Sequence, residues 1–224
     1  MDRPKNKYQA GIDFQLINSK HGYIGYPLDN KIREQDQDTL SRYVKLVKEL
    51  IEGKKVIEIG AASAPQVELF KFNPLEYICV EPAERRWTGE YPSFFKYAHK
   101  EDFWKGYDGV EYLQEHNEPV SIVSSGVIDT CVLKGEEYRE ELVKLIYDRT
   151  PQNGLTLHTI SSSLESLFID VGFRLELAYG AGIEHSMAEM IIDPESKKFV
   201  KPDGRANPWQ IVVGMFRKWY HHPP

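Results

Sequence analysis

Residues 54–84, KKVIEIGAASAPQVELFKFNPLEYICVEPAE, narrow the possible folds more than any other part of the chain. A short apolar run over 56–59 leads into a turn of small residues, Gly60, Ala61, Ala62, Ser63 and Ala64. The pattern then predicts a helix over 65–72 and a second apolar strand over 77–80, which runs into Glu81 and Pro82. Small residues at a strand end let a ligand approach the backbone, and the helix that follows presents N–H groups without intrahelical partners. A carboxylate at the end of the next strand is placed to accept hydrogen bonds from ribose hydroxyls. A nucleoside-containing cofactor lying across the ends of two parallel strands fits all three features.

The rest of the chain continues the alternation. Before this unit, residues 38–52 read as an amphipathic helix with Leu40, Tyr43, Val44, Val47, Leu50 and Ile51 on one face. Asp38 or Thr39 is a candidate N-cap, and Gly53 supplies the stop. After it, strands are expected over 94–98, 120–124, 155–160 and 173–178, with helices near 109–114 and 138–146. A further helix starts at Ser162, whose spacing to Glu165 matches a capping box, and ends at Gly172. Strands alternating with helices imply βαβ units and a mostly parallel sheet covered on both faces. The last strand, over 209–216, has no crossover helix before it, so its pairing with 173–178 is expected to be antiparallel. Residues 180–208 between them form an insert, with 189–193 and 198–200 as a short hairpin.

Residues 1–37 carry Tyr8, Phe14, Tyr23 and Tyr26 without a sustained period. They are expected to form a cap over the site, the alternative being aromatic packing on the outside of the sheet layer. Residues 219–224 are a tail.

At 224 residues the chain has room for one such domain with an elaborated end. Hydrophobic content of 41% and charged content of 28% are those of a globular protein. No apolar run approaches the roughly 20 residues of a membrane span, and the first residues are polar, so a cytoplasmic protein without a signal peptide is expected. Cys79 and Cys131 both fall in apolar stretches and read as reduced thiols. A net charge of −6 argues against broad contact with a nucleic-acid backbone. Lys197, Lys198, Lys201 and Arg205 form a local basic cluster that reads as a solvated loop.

Over roughly residues 38–218 this order of elements resembles the class I S-adenosylmethionine-dependent methyltransferases. The resemblance implies a three-layer α/β/α Rossmann-like fold, mostly parallel with an antiparallel last strand, and S-adenosylmethionine as cofactor. The family's strand acid and glycine-rich turn fall on Glu58, Gly60, Ala62 and Ala64, so alanine replaces glycine twice. Its ribose-binding acid falls on Glu81, and the stretch after its fourth strand on Ser124, Ser125, Gly126 and onward to Asp129. The adenine slot would be formed near Ala98, His99, Asp102 and Phe103.

The acceptor that the resemblance and the acidic balance imply is a small molecule, methylated on oxygen or nitrogen. A base for such a reaction would come from His158, at the expected end of the strand over 155–160, or from His185, with His21 a third candidate. Glu58 stands in an otherwise apolar strand and needs partners: turn amides, the cofactor's ammonium group, or simply the turn that it braces. No close-spaced metal motif is present; Asp129, His158 and His185 are the residues that would have to converge on an ion. Two rivals share the fold. One methylates nucleic acid or protein through the basic 197–205 loop, and the other has lost cofactor binding and serves as an interaction module.

Overall fold

The computed structural model describes residues 37–60, 72–80, 107–125, 135–161, 164–181, 189–192, 199–200 and 211–219. The expected helix over 65–72 (apart from Phe72), the strand over 94–98, the segment 1–36 and the basic cluster lie outside the described residues.

The described chain opens with helix α1 (Gln37–Ile51), followed by strands β1 (Lys55–Ile59) and β2 (Glu76–Val80). Helix α2 (Gly109–Glu115) precedes β3 (Ser121–Ser125), and α3 (Glu136–Arg149) precedes β4 (Leu155–Ser161). Then come α4 (Glu165–Asp170), β5 (Phe173–Ala181), β6 (Glu189–Ile192), β7 (Phe199–Val200) and β8 (Ile211–Lys218). The strands form one sheet in the order β2-β1-β3-β4-β8-β5-β6-β7. From β2 to β4 the pairing is parallel, while β8 lies antiparallel between β4 and β5. The hairpin expected inside the insert is present, with Ile191 opposite Val200 and Ile192 opposite Phe199.

Each face of the sheet has its own core, as the strand period of two requires. On one face Tyr43, Val47, Leu50 and Ile51 of α1 pack against Val56, Tyr77, Val123 and Leu157. On the other, α2, α3 and α4 cover Ile57, Ile59, Ile78 and Ile122. These two helical layers around the sheet give the expected α/β/α architecture.

Three local expectations are corrected. Val44, assigned to the buried face of α1, is 37% exposed, because the helix meets the sheet along a narrower stripe than its apolar pattern suggested. Helix α1 begins at Gln37, so Asp38 sits within its first turn and not at the cap, where it favours the helix dipole. Helix α4 begins after Leu164, which caps it without a side-chain hydrogen bond, so Glu165 is not the third residue of a capping box. The Leu164 side chain at that start is buried. Arg217 fastens α1 to the sheet, pairing with Glu49 at 2.7 Å and with Glu176 at 3.1 Å. No helix among the described residues is long and apolar enough to cross a membrane.

Candidate cofactor and acceptor site

The topology itself creates a crevice. Strand β1 has β2 on one side and β3 on the other, and β2 follows it in sequence. Connections leaving the carboxyl ends of adjacent parallel strands toward opposite sides of the sheet part there, and ligands of open α/β sheets bind in the gap. Gly60 stands at this point. Its N–H donates to the Val80 carbonyl at 3.0 Å, which carries the ladder one residue beyond β1. Its φ is +75°, a left-handed conformation that costs an L side chain about 1–2 kcal/mol. Glycine is therefore retained where the backbone demands it. Ala61, Ala62 and Ser63 lie outside the described residues, as do Glu81, Pro82, His99, Asp102, Gly126, Asp129 and His185.

Glu58 is completely buried on the α1 face of β1. The Tyr77 hydroxyl donates to its Oε2 at 2.7 Å. Because Val56 pairs with Tyr77 and Glu58 with Cys79, this bond runs diagonally between β1 and β2. Tyr77 is a partner that was not among those expected for Glu58, the turn amides and the cofactor's ammonium group. The signal was there: a single phenol in an aliphatic strand, on the same face as an acid.

Ser124 and His158 face each other across β3 and β4. Both are fully buried, with Ser124 Oγ and His158 Nδ1 2.8 Å apart. Residues in register one position apart point to opposite faces, so this pair lies under α2–α4, away from Glu58. Ile59 pairs with Ser124, which places Ser125 beside Gly60 on the rim of the crevice. Gly60 and Ser125 are thus brought together by the fold. Glu58 and His158 are not.

The placement of His158 corrects the expectation of a base at a strand end. It is mid-strand in β4, and its ring lies 4.5 Å from that of Phe168 and 6.2 Å from that of Phe216. Desolvation pushes its pKa from 6.5 down to about 3, so the imidazole is neutral and a poor proton acceptor. The strand runs on through Ser161, which moves the rim three residues beyond the histidine. Among the described residues, no group of three His, Cys, Asp or Glu side chains is placed to hold a metal ion.

No protein-family model and no curated protein sequence matches the chain. Solved structures do match in shape. A 1,6-didemethyltoxoflavin-N1-methyltransferase from Burkholderia thailandensis, with bound 1,6-didemethyltoxoflavin and S-adenosylhomocysteine, is 12% identical, with a TM-score of 0.55 over 98% of this chain and 94% of that one. Magnesium protoporphyrin IX methyltransferase from Synechocystis, with bound S-adenosylmethionine, is 9% identical, with a TM-score of 0.52 over 97% of this chain and 100% of that one. A putative RNA methyltransferase from Pyrococcus horikoshii is 14% identical, with a TM-score of 0.51 over 98% of this chain and 100% of that one. At these identities the likeness is one of fold. The strand order, the single antiparallel insertion of β8 and these neighbours agree: the chain has the Rossmann-like fold of the class I methyltransferases.

Proposed function

We propose that this protein is an S-adenosylmethionine-dependent methyltransferase that acts on oxygen or nitrogen of a small molecule. The observation that carries the reading is Gly60, left-handed at the carboxyl end of the central strand where the chain connections part. A backbone held open there, without a Cβ, fits the close approach of a nucleoside cofactor. When bound, the cofactor supplies a methyl group on a positively charged sulfur that is already a good leaving group. The chain has to bind, align and exclude water. In this reading Glu81 holds the ribose, the 61–63 turn faces the methionine part, and Ser125 and Gly126 form the opposite rim. His185 and His21 are the remaining candidate bases.

The net charge of −6 favours a small acceptor over a nucleic-acid backbone. The Pyrococcus neighbour keeps an RNA acceptor as the rival. Calorimetric titration with S-adenosylhomocysteine tests the first step, and a Kd below about 100 μM is expected. No heat of binding at about 1 mM ligand would leave the non-enzymatic scaffold as the better reading. Methyl transfer from radiolabelled cofactor to an RNA pool, with none to a small-molecule fraction, would replace the acceptor class.

A further inference from the structure

The Ser124–His158 pair is costly where it stands. Its neighbours along β4 are all buried, Leu155, Leu157 and Ile160 being apolar and Thr156 and Thr159 polar. His158 Nε2 is buried without a hydrogen-bond partner among the described residues, and such an atom keeps its full desolvation penalty. An aliphatic residue would pack at this position without that penalty. Nothing in the acid–base chemistry of the proposed reaction uses the ring, which is sealed from solvent and neutral.

Its orientation, by contrast, is fixed from several sides. Across β8 the register partner of His158 is Gly214. The Phe216 ring folds back over that glycine, where a Cβ would come within 2.6 Å of it. Phe216 stacks on Phe168 at 4.5 Å and 14°, and Phe168 lies over the imidazole. The aromatic wall confines the ring, and its one hydrogen bond is directed across to Ser124. Ser124 is followed at once by Ser125, the last residue of β3, on the rim beside Gly60.

We infer that His158 is a positioning residue: locked by Phe168 and Phe216, it holds Ser124 and so sets the carboxyl end of β3 that forms one rim of the cofactor crevice. The inference rests on the proposed function for what the rim serves, but not for the anchoring itself. Side chains whose rotamers are locked by packing and whose single polar contact supports a site are the means by which folds hold a site to within a fraction of an ångström.

The experiment compares wild type with His158→Asn, His158→Leu and Ser124→Ala. Asparagine keeps a hydrogen-bonding group near the place of Nδ1, so it should rescue what leucine loses. Titration with S-adenosylhomocysteine should give a Kd within about threefold of wild type for His158→Asn, and a loss of at least about tenfold for the other two. Amide hydrogen exchange of the unliganded proteins provides a readout that needs no ligand. His158→Leu and Ser124→Ala should speed exchange at Ser125 at least about tenfold more than at Val56 and Ile57, and His158→Asn should not. Should His158→Leu fail to fold, Ser124→Ala carries the test, since it removes only a hydroxyl. A wild type that does not bind S-adenosylhomocysteine defeats the proposed function, and the exchange pattern then decides the anchoring alone. Unchanged affinity in Ser124→Ala of a protein that binds, or exchange that rises evenly across the sheet, overturns the inference.

Discussion

Acidification should destabilise this protein through His158, and the size of the effect can be worked out. The buried imidazole is neutral in the native state, with its pKa pushed from 6.5 to about 3 by desolvation. The unfolded chain titrates the same group near 6.5. Between these two values the unfolded state binds a proton that the native state refuses, so stability rises with pH there and falls on acidification. The stabilisation is complete above the unfolded value and is lost as the pH drops toward the folded one. The slope is about 1.4 kcal/mol per pH unit, which gives a loss of about 2 kcal/mol between pH 7 and 5. That is a large share of the ~5–15 kcal/mol typical of a domain. Glu49 and Glu118 have pKa values lowered by hydrogen bonds from Arg217 and Lys55, and they contribute with the same sign only in the more acidic carboxylate range. Denaturant unfolding of wild type and His158→Asn across this range isolates the imidazole, because the carboxylates are common to both. The two proteins should converge in stability as the pH falls. Parallel pH profiles would falsify the buried neutral assignment.

Gly60→Ala should lower stability by about 1–2 kcal/mol, since it forces a Cβ into a left-handed backbone; an unchanged denaturation midpoint would mean that the turn relaxes freely. Tyr77→Phe removes the buried donor to Glu58 and should cost roughly 1.5–3 kcal/mol in unfolding experiments, whereas a loss below the measurement error would show that Glu58 is satisfied without it. Glu81→Ala should weaken S-adenosylhomocysteine binding by roughly 1.5–3 kcal/mol with little change in melting temperature. Equal affinity with the fold intact removes Glu81 from the ribose site.

The strands and helices were legible because their signals are local. The aliphatic runs of β1 and β2, the stripe of Tyr43, Val47, Leu50 and Ile51, and the missing crossover before β8 all appear in the sequence at the periods their burial requires. Errors arose where a local signal competed with packing. Val44 belongs to the apolar pattern of α1 but not to the part that touches the sheet. Ser162 and Glu165 have capping-box spacing, yet α4 begins only after Leu164, whose side chain is buried.

The candidate site divides along the same line. By itself the sequence determined that a strand ends in a small-residue turn, that an acid lies within that strand and another follows the next, and that the elements alternate as in the class I methyltransferases. It could not determine which side chains meet, because that depends on register between strands far apart in the chain. Ser124 and His158 are paired only because β3 and β4 align in parallel with Ile122 opposite Thr156. Slipping that register by one residue would turn the imidazole to the other face of the sheet. Tyr77 reaches Glu58 across β1 and β2 for the same reason. Tertiary structure alone thus turned His158 from a candidate base at a strand end into a buried, neutral residue in the core, because register and burial, and not residue type, fix its protonation and what it can touch.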